Sequence, residues 1–487
     1  MEFKTKPYPY QLKVFERSKD APYYALFLAP GLGKTKIILD TASHLYIQEK
    51  IHLLIVIAPK GLYENWLGEI NTHINEDIKT NITVWKSYHT EKLKLKLSDL
   101  MRPKFGIYNL DIFLGNVDML STKKGVYFLR DLIKQHGKGT LLVIDESTTI
   151  GSNRSIRTKT AIALSKGAAY KRILTGTPIA DSVMELPTQI SFLGDIRELL
   201  RTANWYSFKN YYCVLKPAMI SGRSFTKIIG TRHIDKLKVL LNPYSSIISK
   251  EEAQLNLPPK VYQTYNVDMP ESLLKVYKSM KTKYMVEIEE EIVTASIVLA
   301  KIMKLRQILA GFMYTGEDHE VVIFPHNRIK ALLELIELNP GKIIIWSNFI
   351  HCISEICAAL KTKYGIGSYV RYDGSTDNRS EAVERFTNDD DCRFFVGNQS
   401  VGGYGLTLTS AATMIYYTNS YSYKTRLQSE DRIHRIGQNK STLYIDMQVP
   451  NTVDSQIMDI INHKSQLHES IMGNGLLLKD MLAKEQV

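Results

Sequence analysis

The feature that most restricts what this chain can fold into is a doubled alternation of short apolar, β-branched runs with helical patterns. The first series holds YYALFLAP (23–30), IHLLIVIAP (51–59), TLLVIDE (140–146) and YKRILTGTP (170–178); the second holds GKIIIWS (341–347), GSYVRYDG (367–374), CRFFVG (392–397) and MIYYTNS (414–420). Runs this short, apolar on both faces and closed by Gly or Pro, suit buried parallel strands, and the patterns between them suit crossover helices. The expected fold class is therefore α/β, with two doubly wound parallel-sheet lobes, helical insertions, and ligands at the carboxyl ends of the strands. A chain of 487 residues is also too long for one core and suits two or three domains.

The first series runs to about residue 195 and the second begins near Gly341. Between them, Leu273, Val276, Tyr277, Met280 and Tyr284 recur at helical spacing within Glu271 to Ala310, and Gly311 suits a C-cap. The Pro pair in LNLPPK (255–260) stiffens the chain and stops a helix, so the lobe boundary belongs close to it. The expected division is 1–255, with an insertion at about 196–255, and 256–487, with a helical insertion at about 260–325. Lys alternates with Leu at 92–97 inside HTEKLKLKLSDLMRPK (89–104), which reads as a half-buried strand with a solvated Lys face, an added DNA contact being the other reading. The aromatics of WYSFKNYYC (205–213) either pack a local core or stack on exposed bases.

Several function classes are disfavoured at this level. Cys213, Cys352, Cys357 and Cys392 show no pairing framework, so a reducing compartment is expected. Cys352 and Cys357 lie within Ile350 to Leu360, a stretch that reads as a helix following a strand, where they read as small buried side chains rather than metal ligands. The start, MEFKTKPYPYQ, has no apolar signal region, and apolar runs such as LLIVIA (53–58) are too short to span a bilayer, so secretion and membrane insertion are not expected. Lys and Arg number 62 against 50 acidic residues, and the net charge of +12 favours a polyanionic partner.

Three motifs carry chemistry. LFLAPGLGKT (26–35) follows a strand signal and opens a helix: Gly31 and Gly33 let the backbone turn its N–H groups, with that of Leu32, toward an anion; Lys34 can reach β- and γ-phosphates; the Thr35 hydroxyl can hold Mg²⁺. Leu28 stands where the strict phosphate-loop pattern has its first Gly. TLLVIDE ends a buried strand with two carboxylates, which is costly unless they have a partner. Asp145 would hold Mg²⁺ and Glu146 would polarise an attacking water, although an exposed strand end capping the next helix would look the same. In QSEDRIHRIGQ (428–438), Arg432 and Arg435 are three apart and on a helix would share a face, either reaching one γ-phosphate or forming a solvated basic face.

With these residues in place, the chain resembles superfamily 2 helicase-like ATPases, specifically the Snf2-type double-stranded DNA translocases. Further segments carrying the resemblance are IAPKGLYENWLGE (57–69), LTGTPIADSVMEL (174–186), LPPK (257–260), DGSTDNRSEAVERF (373–386) and GNQSVGGYGLTLTSA (397–411). The resemblance implies RecA-like lobes, ATP and Mg²⁺ as cofactors, and DNA, duplex or branched, as partner of a monomeric motor, with replication or recombination partners possible in principle. It implies an adenine-reading role for Gln11 beside Tyr10, a nucleotide contact at Gly405, and contact with nucleic acid or coupling to ATP at Lys60, Asn65, Trp66, Tyr108, Thr175, Gly176, Thr177, Asp373, Gly374, Ser375, Gly402, Gly403 and Gln428. A motor that steps along any sequence is served by backbone contacts. The small size further suggests a viral, phage or bacterial motor working in the cytoplasm of a bacterial or virus-infected host cell, close to fork-remodelling and branch-migration members with roles in DNA repair and recombination. The chain departs from the family at DEST (145–148), where a His or another coupling residue is usual after Asp-Glu and where Thr148 could substitute, at Leu28–Ala29–Pro30, and at Thr407. An RNA helicase, a motor subunit of a restriction or defence system, and a non-catalytic DNA-binding scaffold stay open as other readings.

Overall fold

The computed structural model describes residues 2–60, 62–86, 88, 90–102, 109–179, 182–220, 223–253, 257–290, 295–315, 320–402 and 406–472. By internal contacts it divides into one unit of Met1–Val214, Ile229–Leu255 and Leu467–Val487 and a second of Leu215–Ile228 and Asn256–Gln466.

In the first unit the four apolar runs form β1 (Tyr23–Leu28), β2 (Leu53–Ala58), β5 (Thr140–Asp145) and β6 (Tyr170–Thr175), and two strands not among those runs, β3 (Thr80–Val84) and β4 (Leu110–Asn116), join them. Before β9 (Ser245–Ile248) the chain forms a pair of strands, β7 (Cys213–Ile220) and β8 (Arg223–Thr231), most of which belongs to the second unit. The sheet order is β3-β4-β2-β5-β6-β1-β9, and every pairing is parallel. β1, β2 and β5 are buried along nearly their whole length, so both faces must be covered, and the crossover helices Lys34–Ile47 and Lys123–His136 do this with Ile37, Ile38, Leu45, Leu129 and Leu132.

The second unit holds β10 (Lys260–Asn266), β11 (Phe312–Thr315), β12 (Glu320–Ile323), β13 (Ile343–Ser347), β14 (Tyr369–Tyr372), β15 (Phe394–Asn398), β16 (Thr413–Tyr416) and β17 (Thr442–Gln448). Six of them make a parallel sheet in the order β10-β17-β16-β13-β15-β14, and β11 and β12 pair as an antiparallel hairpin. The expected helical stretch appears as Glu271–Glu290 and Ala295–Leu309, with Leu273 and Tyr277 in the core and Gly311 in the left-handed region beyond the end.

Several sequence expectations need correction. The stretch at about 196–255 is not wholly an insertion, because Ser245–Ile248 pairs with β1 as the sheet's edge strand. Likewise Lys260–Asn266, placed in the second insertion, is an edge strand on β17. Both are polar or half-exposed edge strands, so neither shows the continuous apolar run that marks a central strand. Residues 92–97 are helical, not extended: the Thr90 hydroxyl caps the helix Glu91–Leu100 at Leu93 N, Glu91 sits in its first turn, and only Leu97 and Leu100 face inward. Leu, Lys and Glu are strong helix formers, and their local preference overrides the two-residue alternation. The aromatic helix Trp205–Tyr212 divides: Phe208 and Tyr212 are core, while Tyr206 and Tyr211 are exposed.

The second unit encloses a four-charge cluster. Arg426 donates through Nε to Glu430 Oε1 (2.7 Å) and through Nη2 to Asp446 Oδ2 (3.0 Å), while Lys260 Nζ and Tyr262 OH donate to Glu430 Oε2 at 2.9 and 2.8 Å. The Arg426 guanidinium also lies 3.6 Å from the Tyr416 ring centroid. Burial alone would raise the Glu430 carboxyl, but the Lys260 and Arg426 cations pull it down to about 2. The cluster thus fastens edge strand β10 and β17 to the helix Tyr423–Glu430, which leads into the arginine motif. Arg426→Met leaves two buried carboxylates short of a cation, and the expected cost is about 3–5 kcal/mol, measured as a lower urea midpoint for the unfolding of this unit; a midpoint equal to wild type would contradict it.

Candidate active site

In the first sheet β6 lies between β5 and β1, with Asp145 opposite Leu174 and Phe27 opposite Thr175. Parallel pairing puts the carboxyl ends of all three strands at one edge. The phosphate loop, the paired carboxylates and the TGTP segment therefore emerge side by side, although 110 residues separate Thr35 from Asp145 in the chain.

The loop after β1 turns on two glycines, Gly31 at φ +85° and Gly33 at φ +71°, the latter capping the helix Lys34–Ile47. The amino-terminal N–H groups of that helix form an anion cradle. Lys34 Nζ donates to Leu28 O at 2.9 Å, and the half-buried Thr35 occupies the first turn. Gln11 packs beneath the loop: its Nε2 donates to Leu32 O (3.2 Å), its Oε1 accepts from Tyr8 N (2.9 Å), and Tyr10 OH donates to the same Leu32 carbonyl (3.3 Å). The segment implied to read adenine thus also fixes the loop to the helix Pro9–Ser18.

At the end of β5, Asp145 Oδ2 accepts from Trp66 Nε1 (3.0 Å) and Oδ1 accepts from Glu146 N (2.9 Å). Burial, with the neighbouring Glu146 charge, pushes the Asp145 carboxyl up to about 6 against the opposing pull of Trp66 and Lys34. Glu146 itself has φ +50°, an uncommon conformation for a side chain with a Cβ. Such a buried, proton-prone carboxylate beside a hydroxyl-bearing anion cradle fits a divalent cation, with Asp145 and Thr35 as the holders.

The other implied residues fall into distinct groups. Trp66 is buried and reaches Asp145, so of the two roles implied for it, coupling suits it and direct nucleic-acid contact does not; Lys60 and Asn65 are exposed. Thr175 and Thr177 are also buried, with Thr175 Oγ1 accepting from Thr177 N at 3.0 Å, so of the two roles implied for them coupling suits them and direct nucleic-acid contact does not. Gly176 packs on the phosphate loop, since a Cβ there would lie 2.6 Å from Pro30 Cδ. Pro30, noted in the sequence only as a departure, is thereby the contact between the two segments. Tyr108, Gly403 and Gly405 lie outside the described residues.

In the second unit, β14 and β15 are neighbours, and the turn after β14 carries Asp373, Gly374 and Ser375. Asp373 is wholly buried and accepts from Ser375 N (2.8 Å), Ser375 Oγ (2.6 Å) and Arg371 Nε (2.6 Å). Burial would raise its carboxyl, but the Ser375 hydrogen bonds and Arg371 hold it below the usual range. It shapes the turn, and only Gly374 and Ser375 face solvent. Gly402 lies against Trp346, where a Cβ would come within 2.3 Å of the ring.

Arg432 and Arg435 are not on a helix. The helix ends at Glu430, and tight turns follow, with Arg432 N bonding Ser429 O and Ile433 N bonding Glu430 O, both at 3.2 Å. The two guanidiniums nevertheless converge, because both Nη1 atoms donate to Leu406 O, at 3.0 and 3.2 Å. Arg432 Nε also donates to the carbonyl of the buried Gln428 (2.7 Å), so Gln428 positions the arginine through its backbone.

Comparison with known proteins adds three findings. The SNF2-related domain model matches residues 25–311, and the helicase conserved C-terminal domain model matches 327–437. An ATP-dependent helicase of Mycoplasma genitalium is 23% identical, covering 90% of this chain and 39% of its own length; the DNA annealing helicase and endonuclease ZRANB3 of Mus musculus is 24% identical, covering 97% and 41%. A solved SWI2/SNF2 ATPase core from Sulfolobus solfataricus, in complex with dsDNA, is 20% identical over 99% of this chain and 96% of that one, with a TM-score of 0.42. The chain spans about two fifths of the length of these two curated relatives.

The loop geometry itself can be tested. A Cβ at Gly33 would meet Gln11 Nε2 at 2.3 Å as well as adopting a left-handed backbone. Gly33→Ala is expected to destabilise the first unit by about 2 kcal/mol or more, while in a Gln11→Ala background the cost should fall toward the roughly 1–2 kcal/mol of the backbone conformation alone. Denaturant unfolding of the four variants reads this, and strict additivity would refute the contact.

Proposed function

This chain belongs to the Snf2 family of superfamily 2 helicase-like ATPases, and on that footing we propose that it is a DNA-dependent ATPase, a motor that moves on duplex DNA and remodels branched or forked DNA. The observation that carries the proposal is the set of three adjacent strand ends in the first unit, which brings a left-handed glycine loop with Lys34, the Asp145–Glu146 pair and the Thr175–Pro178 segment to one edge.

In this reading the loop amides and the helix N-terminus hold the phosphates of ATP, and Lys34 exchanges its Leu28 carbonyl for phosphate oxygen. Thr35 and Asp145 would hold Mg²⁺, which supplies charge neutralisation to the phosphates. Glu146, its backbone pinned by Asp145, orients and polarises the attacking water. Arg432 and Arg435, gathered at one carbonyl of the second unit, are the cations that the family resemblance assigns to the γ-phosphate. Trp66 links Asp145 to the helix Tyr63–His73, which also carries the exposed Asn65 and gives a physical route from metal ligand to nucleic acid. The GGYGLTL (402–408) and DRIHRIGQ (431–438) segments, forms that ordinary DEAD-box RNA helicases lack, favour DNA over RNA as the partner. The preference for branched substrates rests on the likeness to a DNA annealing helicase.

The decisive experiment is steady-state ATP hydrolysis with no nucleic acid, single-stranded DNA, blunt duplex, a fork, a four-way junction and RNA. Strong stimulation by duplex or branched DNA, lost in Lys34→Ala, is expected; stimulation by RNA alone, or none, would overturn the proposal. The raised Asp145 carboxyl adds a pH dependence: below about 6 it takes up a proton and competes with the cation. At limiting Mg²⁺, hydrolysis should fall by about tenfold per pH unit below that point, and excess Mg²⁺ should restore it. A profile insensitive to Mg²⁺ would exclude Asp145 as the titrating group.

A further inference from the structure

The residues after Asp145–Glu146 do not follow the family's usual pattern, and the structure assigns a different connection. Ser147 and Gln189 are both wholly buried. Ser147 Oγ donates to Gln189 Oε1 at 2.6 Å, and Gln189 Nε2 donates to Pro178 O at 2.8 Å and to Glu185 O at 3.1 Å. The amide cannot be flipped, because its oxygen would then face two carbonyl oxygens. Every polar atom of the carboxamide is therefore committed. One end holds the residue that follows Glu146, and the other holds the residue that follows Thr177.

Two further observations give the connection mechanical meaning. Glu146 adopts a left-handed conformation that surrounding structure must maintain, and Ser147 is the first fixed side chain on its carboxyl side. At the other end, Pro178 closes the TGTP segment, whose Gly176 rests on Pro30 of the phosphate loop and whose Thr177 hydroxyl is buried with no hydrogen-bond partner among the described residues. A displacement of the Glu146 backbone is therefore passed by two short hydrogen bonds to Pro178, in a tightly packed interior where shifts are transmitted.

We propose that Ser147 and Gln189 are positioning residues that couple the Asp145–Glu146 site to the Thr175–Pro178 segment, so that nucleic acid acts on hydrolysis through this pair. The inference deepens the motor reading and rests on it.

The test compares wild type, Ser147→Ala, Gln189→Leu and the double variant for hydrolysis without DNA and with saturating duplex, alongside thermal unfolding and affinity for a nonhydrolysable ATP analogue. Expected are basal hydrolysis and analogue affinity within about twofold of wild type, DNA stimulation reduced at least tenfold in each single variant, and a double variant no worse than the singles. Ser147→Ala removes a single oxygen and keeps the measurement interpretable where Gln189→Leu lowers stability. DNA stimulation within twofold of wild type in Ser147→Ala would overturn the coupling. So would an equal loss of basal and stimulated rates, which would make the pair part of building the hydrolytic site. Absence of hydrolysis in the wild type under every condition would instead defeat the motor reading.

Discussion

The arrangement of the candidate site depends on the parallel pairing of β6 between β1 and β5. In a parallel sheet all strands end at the same edge, so a register that sets Phe27 opposite Thr175 and Leu174 opposite Asp145 also sets the phosphate loop beside the TGTP segment and that segment beside the two carboxylates. The hydrogen bonds of the sheet cost little to maintain because both faces are covered by helices. The close contacts beyond it then follow: Gly176 against Pro30, Gln11 against Gly33 and Leu32, Trp66 against Asp145. The first of these needs β6 beside β1, and the contact of Trp66 with Asp145 needs β2 beside β5.

Three buried carboxylates show how environment rather than residue type sets protonation. For Asp145, burial and the neighbouring Glu146 charge outweigh the Trp66 indole, Lys34 and the Glu146 amide, and it is pushed up to about 6. Glu430 has Lys260 and Arg426 as direct partners and falls to about 2. Asp373 has a serine hydroxyl, a backbone amide and Arg371, and it too stays below the usual range. Glu430 and Asp373 are saturated by the fold and serve architecture, holding an edge strand and a turn. Asp145 is incompletely compensated, as suits a group whose cation comes from outside the protein. Among the arginines, Arg426 is engaged by two carboxylates inside the core, while Arg432 and Arg435 share the Leu406 carbonyl.

Much of the fold was legible in the chain because central parallel strands are apolar on both faces. All eight such runs picked out by composition became strands, and Leu273, Val276, Tyr277, Met280 and Tyr284 lie on helices or pack in the core as their spacing implies. Of the edge strands, β14 was legible as GSYVRYDG, but β9 and β10 were not. Ser245–Ile248 and Lys260–Asn266 have one side unpaired and carry mixed residues, so they look like loop or insertion in sequence. At 92–97 a two-residue alternation competed with helix-forming side chains and a Thr cap, and the local backbone preference won.

By itself the sequence determined the strand and helix alternation, the glycine loop with its Lys-Thr, and the positions of two carboxylates and two arginines, because each depends on residue type within a few neighbours. Only tertiary structure decided what those groups touch. The burial of Trp66, Thr175, Thr177 and Asp373, the shared Leu406 carbonyl, and the path from Ser147 through Gln189 to Pro178 are set by strand order and by side chains far apart in the chain. Local propensity acts along the chain, whereas burial and hydrogen-bond partnership act across it. A sequence read in order displays the first directly and the second only after the sheet has been assembled.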